Sequence, residues 1–317
     1  MKITVIGGAG TLGSCAAFTI IDRKLADELL LIDPWADMLK GHWMDLSTAA
    51  SATDIVVNKG GYEDMAGSDI VVMAASAPSG AIDSRSELLP INIPIIKDNS
   101  EKINQYCPDA IVIMETNPVD PLNYAMFLMS KSKDRRKFIG YSLNDTLRFR
   151  MWAAEALGVQ ASRVKGVVIG EHGQSQVMLF SSLRVDGSPV TLNESTKNKI
   201  REQPAAMLKA FESLKPRRTA GWTSAVGVSS IIAAIKNDSG EEIPCNTVLM
   251  GEYGLRNLSM TVPAIIGREG IRGVSALELA ADEKAGLINT IDTLNPYMRY
   301  VEEYVEKTTG KIETAAS

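Results

Sequence analysis

The chain is poor in the residues that most metal and disulfide chemistry needs: 3 cysteines and 2 histidines in 317 residues. Cys15, Cys107 and Cys245 are scattered and odd in number, so they suggest neither a disulfide framework nor the paired spacing of a metal site. Together with His42 and His172 they form no ligand cluster, and no metal is expected. No uncharged apolar run reaches the roughly 20 residues that span a bilayer. The opening "MKITVIGG" has no charged region, long apolar region and cleavage site in succession. A cytoplasmic protein is expected, in which the sequons "NDT" (144–146) and "NLS" (257–259) are chance matches. Positive charge is in deficit as well. A net charge of −5 and a pI near 5.3 argue against general binding to nucleic acid or acidic membranes, which needs clustered cations. There is no low-complexity linker and no repeat of solenoid period.

What is present is ordinary for a globular protein: 45% apolar and 22% charged residues, in a chain long enough for two domains. Short apolar runs at 3–7, 29–33, 54–58, 69–75, 110–115 and 137–140 lack polar alternation, as strands covered on both faces do. Amphipathic stretches lie between several of them, notably 11–24, 84–105 and 120–132. This succession predicts an α/β fold with a doubly wound parallel sheet. The pattern then changes. A helix is expected from about Asn144 to Leu157, strands at 164–169, 176–180 and 182–186, and helices at 194–214, 220–236 and 276–307. "GEEIPCNTVLMGEYG" and "NLSMTVPAIIGREG" suggest antiparallel strands. The reading is a dinucleotide-binding domain at 1–142 followed by an α+β domain at 143–317. The two are expected to pack tightly, with a polar tail, "KTTGKIETAAS", that frays.

Between the first strand and the first helix stands "VIGGAGTLGS", in which Gly7, Gly10 and Gly13 make G-x-x-G-x-x-G. Glycine lets the chain turn sharply and lets backbone approach a pyrophosphate at a helix N-terminus. Glycines alone can mark a plain turn. Here they open a β-α-β unit, and Asp33 ends the second strand 20 positions after Gly13, where a carboxylate can hold both hydroxyls of an adenosine ribose. A carboxylate there repels a 2′-phosphate, so NAD is expected rather than NADP. A P-loop is excluded because no Gly-Lys-Ser/Thr closes the motif.

Hydride exchange with an alcohol carbon needs a proton carrier and, for an acidic substrate, cations. No Tyr is followed by Lys four residues later, so a tyrosine-lysine pair is absent. His172, in "VVIGEHGQSQV", is the remaining proton carrier. In "SLNDTLRFR" Asp145 and Arg148 stand at i and i+3 and share a helix face. They could be a surface ion pair. Alternatively Asp145 orients the imidazole and raises its pKa, while Arg148 offers its planar fork to a substrate carboxylate. Arg85 lies in "APSGAIDSRSELL", a small-residue stretch that suits a closing loop over 76–89 and equally an inert connection. Asn117, in "ETNPVD", stands at a strand end on the C-terminal edge of the sheet, where ligands of open α/β folds bind.

In their order, "GGAGTLG", "LLLIDP", "GHWMDL", "TNPVD", "NDTLRFR", "IGEHG" and "AGWTSAVG" make the chain resemble, over nearly its whole length, the L-lactate/L-malate dehydrogenase family of NAD-dependent 2-hydroxy acid dehydrogenases. The resemblance implies a Rossmann domain followed by a catalytic domain, and homodimers or homotetramers. It implies that His172 accepts the alcohol proton, that Asp145 orients it, that Arg148 binds the carboxylate and that Arg85 polarises the carbonyl from a closing loop. Asn117 would contact the reacting oxygen or the nicotinamide side, and Thr223 would line the substrate pocket. Gly7, Gly10, Thr11, Leu12, Gly13 and Asp33 would hold the cofactor. Asp45 looks like a fold or interface residue, and His42 is taken as structural.

The sequence departs from the family at the substrate side chain. Malate enzymes carry an arginine shortly before the polarising one, and lactate enzymes usually a glutamine. Here Ser79 or Gly80 falls at that point, Asp83 follows, and Arg85 is the sole cation between Ala74 and Lys97. A carboxylate without a partner is costly, so malate should be a poor substrate unless a cation arrives from elsewhere, as from Arg217 or Arg218. "AASAPSG" also lacks the family's Ala-Gly loop opening, and Gln174 stands where Asp is frequent. The rivals are a malate dehydrogenase with such a relocated cation and a sensor that binds NAD without chemistry.

Overall fold

Strands with two apolar faces need cover on both, and the helices of the first half supply it. The computed structural model describes residues 1–78, 85–214 and 220–310, and for Arg85, Ser86 and Glu212 the backbone alone. In chain order it runs β1 (Lys2–Ile6), α1 (Thr11–Asp22), β2 (Glu28–Ile32), α2 (Ala36–Ala50), β3 (Val56–Lys59), β4 (Ile70–Met73), α3 (Leu89–Tyr106), β5 (Ile111–Met114), α4 (Val119–Met129) and β6 (Phe138–Gly140). The second half adds α5 (Leu143–Leu157), β7 (Val164–Ile169), β8 (Val177–Val185), β9 (Ser188–Pro189), α6 (Glu194–Ser213), α7 (Gly221–Asn237), β10 (Glu241–Met250), β11 (Arg256–Gly267), β12 (Gly270–Val274) and α8 (Ala281–Thr309).

Side chains alternate across the parallel strands. Ile3 and Val5, Ile70 and Val72, Ile111 and Ile113 meet Ala16, Ala17 and Ile20 of α1 and Val228, Ile231 and Ile232 of α7. Ile6, Val71, Met73, Val112 and Met114 meet Ile93 and Ile96 of α3, Leu122 and Met126 of α4, and Val301 of α8. Each of the Val, Leu, Ile and Met side chains among them contributes on the order of 1.5–3 kcal/mol on burial. The unbroken apolar runs of the sequence are therefore two interleaved faces, each with its own helices.

The strand order is β12-β11-β10-β6-β5-β4-β1-β2-β3. From β3 to β6 the strands are parallel in the order 3-2-1-4-5-6, with the switch point between β1 and β4. β10 then adds antiparallel to β6 through Asn246 and Gly140, so strands of the second half extend the sheet of the first. β7, β8 and β9 form a separate antiparallel sheet.

Three elements differ from expectation. α2 has little sequence signal, because it buries only Leu39, Leu46 and Ala50 while Met38 and Met44 face outward. The strands expected at 176–180 and 182–186 are one strand, β8. A register irregularity opposite Lys165–Val167 turns Ser181 and Ser182 to polar partners: Ser181 donates to Glu283, and the Ser182 hydroxyl accepts from the Val167 amide. The last helix begins at Ala281, five residues later than its apolar pattern suggests, where Glu283 accepts the Ala280 amide.

Candidate active site

The turn from β1 to α1 is built on contacts that only glycine permits. Gly7 has φ +92°, and a Cβ there would stand 2.6 Å from the Ala75 nitrogen. A Cβ on Gly13 would stand 2.2 Å from the Gly7 oxygen, so α1 packs onto the loop at a distance no side chain fits. Gly7 and Gly8 both donate to Ile32 O, which ties the loop to the end of β2. No side chain caps the start of α1, so its first amides and the positive end of its dipole face outward as an anion site. Gly7, Gly10 and Thr11 line the cavity at this point, whereas Gly13 packs beneath the loop. Asp33, just past β2, lines the same cavity. It accepts from the Ala9 amide at 3.0 Å and the Trp35 amide at 2.9 Å, which leaves lone pairs for a further donor. His42 lies behind the loop, with Nδ1 3.3 Å from Gly8 O.

His172, Asp145 and Arg148 converge, although 27 residues separate the first two. His172 Nδ1 is 2.6 Å from Asp145 Oδ2, and both side chains are buried. Arg148 Nη1 is 3.6 Å from Asp145 Oδ1. The local fold explains the meeting. Asp145 sits in the first turn of α5, and Thr146 Oγ1 accepts the Val168 amide at 3.0 Å, locking α5 to β7. β7 ends at Ile169, and the next residue, Gly170, exchanges two backbone bonds with Thr261 of β11 and delivers His172 onto Asp145.

A cavity of about 1920 Å³ joins these parts, lined by Gly7, Gly10, Asp33, Asn117, Asp145 and Arg148 among others. Glu171 and Gly173, on either side of His172, also line it. Asn117 is anchored through its backbone: its carbonyl accepts from Asn92 Nδ2 at 2.8 Å, and Asn92 Oδ1 accepts the Ala77 amide. Its side-chain Oδ1 is buried and has no hydrogen-bond partner among the described residues. An unmet amide at the rim, a glycine cradle that a Cβ would fill and a carboxylate at the end of β2 fit a dinucleotide laid across the strand ends.

Comparison with known proteins agrees. Residues 1–140 match the family model for the lactate/malate dehydrogenase NAD binding domain, and residues 143–305 match that of the lactate/malate dehydrogenase alpha/beta C-terminal domain. The chain belongs to the lactate/malate dehydrogenase family. It is an NAD-dependent 2-hydroxy acid dehydrogenase. It is 34% identical over 282 residues to a malate dehydrogenase of Natronomonas pharaonis (88% of this chain, 92% of the relative). It is 31% identical over 303 residues to L-lactate dehydrogenase 1 of Clostridium acetobutylicum (92% and 96%). Among solved structures it resembles Cryptosporidium parvum malate dehydrogenase, with TM-score 0.89 and 29% identity over 95% of this chain and 99% of that one. It also resembles the lactate dehydrogenase from the same organism complexed with lactic acid and NAD, with TM-score 0.88 and 30% identity over 95% and 98%.

Other predicted residues of this dehydrogenase are placed as follows. Leu12 and Thr223 lie in the first turns of α1 and α7; the Thr223 carbonyl accepts the Tyr141 hydroxyl at 2.9 Å, and nearby Ala220 lines the cavity. The side chain of Arg85 lies outside the described residues, as do Ser79, Gly80, Asp83, Arg217 and Arg218. Three residues escape a motif reading. Asp120, in the first turn of α4, accepts the His172 amide at 2.9 Å and Asn246 Nδ2 at 2.7 Å. Burial pushes its carboxyl up to about 8, against those two donors, which favour the anion. Its only sequence signal is the acid of "TNPVD". Glu171 accepts both the amide and the hydroxyl of Ser175, closing the turn after His172. Arg201 of α6 lines the cavity, 2.9 Å from Asp282 and stacked over Phe180.

Proposed function

We propose that His172 is the proton carrier of this dehydrogenase, with Asp145 fixing its tautomer. The observation that carries the reading is the 2.6 Å contact of His172 Nδ1 with Asp145 on the cavity wall. A carboxylate only accepts, so Nδ1 carries the hydrogen and Nε2 takes the proton from the substrate hydroxyl. Arg148 offers its fork to the substrate carboxylate, and its bond to Asp145 aims it. Arg85 polarises the substrate oxygen, Asn117 Oδ1 and Nδ2 meet the oxygen or the nicotinamide amide, and Thr223 borders the pocket. The loop of Gly7, Gly10, Thr11 and Leu12, seated on Gly13, would hold the pyrophosphate, with Asp33 on the ribose. NAD supplies the hydride acceptor. The protein's work is to place the alcohol, exclude water and move one proton. The division of labour is a cofactor domain at 1–142 and a substrate domain at 143–317.

The substrate we infer is a 2-hydroxy acid whose side chain bears no second carboxylate, supported by Arg85 being the sole cation between Ala74 and Lys97. A malate-directed reading has support of its own. Curated relatives at 30–34% identity include seven malate dehydrogenases, and Arg201, Arg217 and Arg218 are candidate cations for a second carboxylate. The test is a panel of 2-oxo acids followed by NADH absorbance, repeated with each of these arginines changed to Ala. Pyruvate-like acids outpacing oxaloacetate support the first reading. Oxaloacetate preference lost in one arginine variant establishes the second. NADH binding with no turnover across the panel leaves a sensor.

A homo-oligomer is also proposed. Phe18 on α1, Met44 on α2 and Trp222 and Val226 on α7 are apolar and more than half exposed, on helices that pack side by side. Light scattering on the purified chain tests it. A cytoplasmic location fits three cysteines that form no disulfide with one another.

A further inference from the structure

The scheme above has no role for Glu115. It follows β5, is 3% exposed, and both its oxygens are buried without a hydrogen-bond partner among the described residues. Such a carboxyl needs an explanation.

Sheet geometry puts its backbone at the strand ends over which a cofactor would lie, behind the residues that line the cavity. Neighbouring strands lie about 4.8 Å apart. The order β2-β1-β4-β5 then sets the end of β5 roughly 14 Å from the end of β2. A dinucleotide with its ribose at Asp33 and its pyrophosphate at α1 would reach the ends of β4 and β5 with its nicotinamide, where Ala74, Ala75 and Asn117 line the cavity. Glu115 belongs to that edge. Its amide and that of Thr116 donate to Met73 O at 2.9 and 3.2 Å, and the Thr116 hydroxyl donates to Ala75 O at 2.8 Å. Strand alternation sends its side chain to the α1 and α7 face, with Ile111, Ile113 and Tyr141. The titratable and charged groups there are few. Tyr141 feels Glu115 and, farther along α5, Asp145 and Arg148, with His172 behind Asp145. α1 brings Cys15 near the loop, while the end of β4 and the first turns of α7 bring none. Among the described residues, Arg148 is the cation that reaches this corner, through Tyr141, and a positive nicotinamide would add a charge there that NADH does not.

We propose that Glu115 matches the site to the redox state of the nicotinamide: its carboxyl is neutral in the empty site and beside neutral NADH, and it releases its proton to solvent when the nicotinamide is the cation of NAD+. No electron passes through Glu115; one proton leaves the carboxyl and one carboxylate remains. Burial pushes this carboxyl up to about 8, which puts the exchange near neutral pH. A neighbouring cation lowers a carboxyl pKa by about 1–3 units. Binding NAD+ therefore releases protons, and affinity rises with pH between the bound and free values.

The experiment measures Kd of NAD+ and of NADH by calorimetry from pH 6.5 to 9, in buffers of different ionisation enthalpy. In the unaltered enzyme NAD+ affinity should rise about tenfold, with a fractional proton released per NAD+, while NADH affinity changes less than about twofold. Glu115→Gln should abolish both the slope and the release. Glu115→Leu, which removes the buried polar group, gives the same answer if the glutamine variant folds poorly. A slope retained in both variants assigns the proton to another group, such as Asp120 or His172, and overturns the proposal, as do equal slopes for NAD+ and NADH. Failure to bind either nucleotide at any pH would instead overturn the cofactor site itself.

Discussion

At the scale of single residues, the chain separates chemistry from the scaffolding that aims it. His172 is one of two histidines, and its partner Asp145 is joined to it by the folding of α5 onto β7 rather than by sequence. Proton transfer by a placed side chain is worth about 10²–10⁴-fold. His172→Gln should lower kcat by that order while NADH titration by fluorescence stays within about threefold of the parent, since the residue stands away from the glycine loop. Turnover near the parent level would remove His172 from the mechanism. Asp145→Asn tests the partner: the amide can reach Nδ1 but does not fix the same tautomer, so kcat should fall by about 10²-fold or more with KM for the acid rising through the loosened Arg148. That Asp145, Arg148, His172 and Asn117 belong together could be expected in advance because each bears chemistry suited to a 2-hydroxy acid, and the first three do converge beside the cavity that Asn117 lines. Asp120 and Glu115 could not. A carboxylate in a motif looks solvated until the structure shows that α4 and β10 close over one, and that the end of β5 buries the other.

Elements place these residues through a few close approaches, and the glycine loop shows which of its positions matter most. The pattern G-x-x-G-x-x-G treats its three glycines alike, but the structure does not. A methyl group on Gly13 would meet Gly7 O at 2.2 Å, whereas on Gly10 it would meet the same oxygen at 3.3 Å. Gly13→Ala must push α1 away from β1, costing about 1–3 kcal/mol by overpacking and moving the helix amides off the pyrophosphate. NADH affinity should drop at least about tenfold in that variant and by less in Gly10→Ala; titrations that rank them the other way would show that the loop is held by something else. The legible elements were those whose periodicity reports burial. The parallel strands and α1 bury two full faces. α2 does not, since it buries only Leu39, Leu46 and Ala50, with Trp43 partly covered and donating to Val57 O of β3, and β8 hid its continuity behind paired serines.

Over the whole molecule, buried carboxyls link stability to pH. Glu115 is raised to about 8 in the folded chain, from an ordinary value of 4.5. Between those values the folded state keeps a proton that the unfolded state gives up. Stability from this group is therefore full below about pH 4.5, declines as pH rises, and is lost once pH passes the folded value. Asp120, raised to about 8, adds a slope of the same sign. Alkaline loss is thus built into the sheet edge that serves the cofactor. Glu115→Gln removes one of the two titrations. Its unfolding midpoint, followed by circular dichroism, should match the parent near pH 5 and exceed it by about 3 °C or more at pH 8.5, given about 2–4 °C per kcal/mol in chains of 150–250 residues. A midpoint difference that stays constant from pH 5 to 8.5 would mean that Glu115 holds the same charge throughout, and the cost of its burial would then have to be met by packing alone.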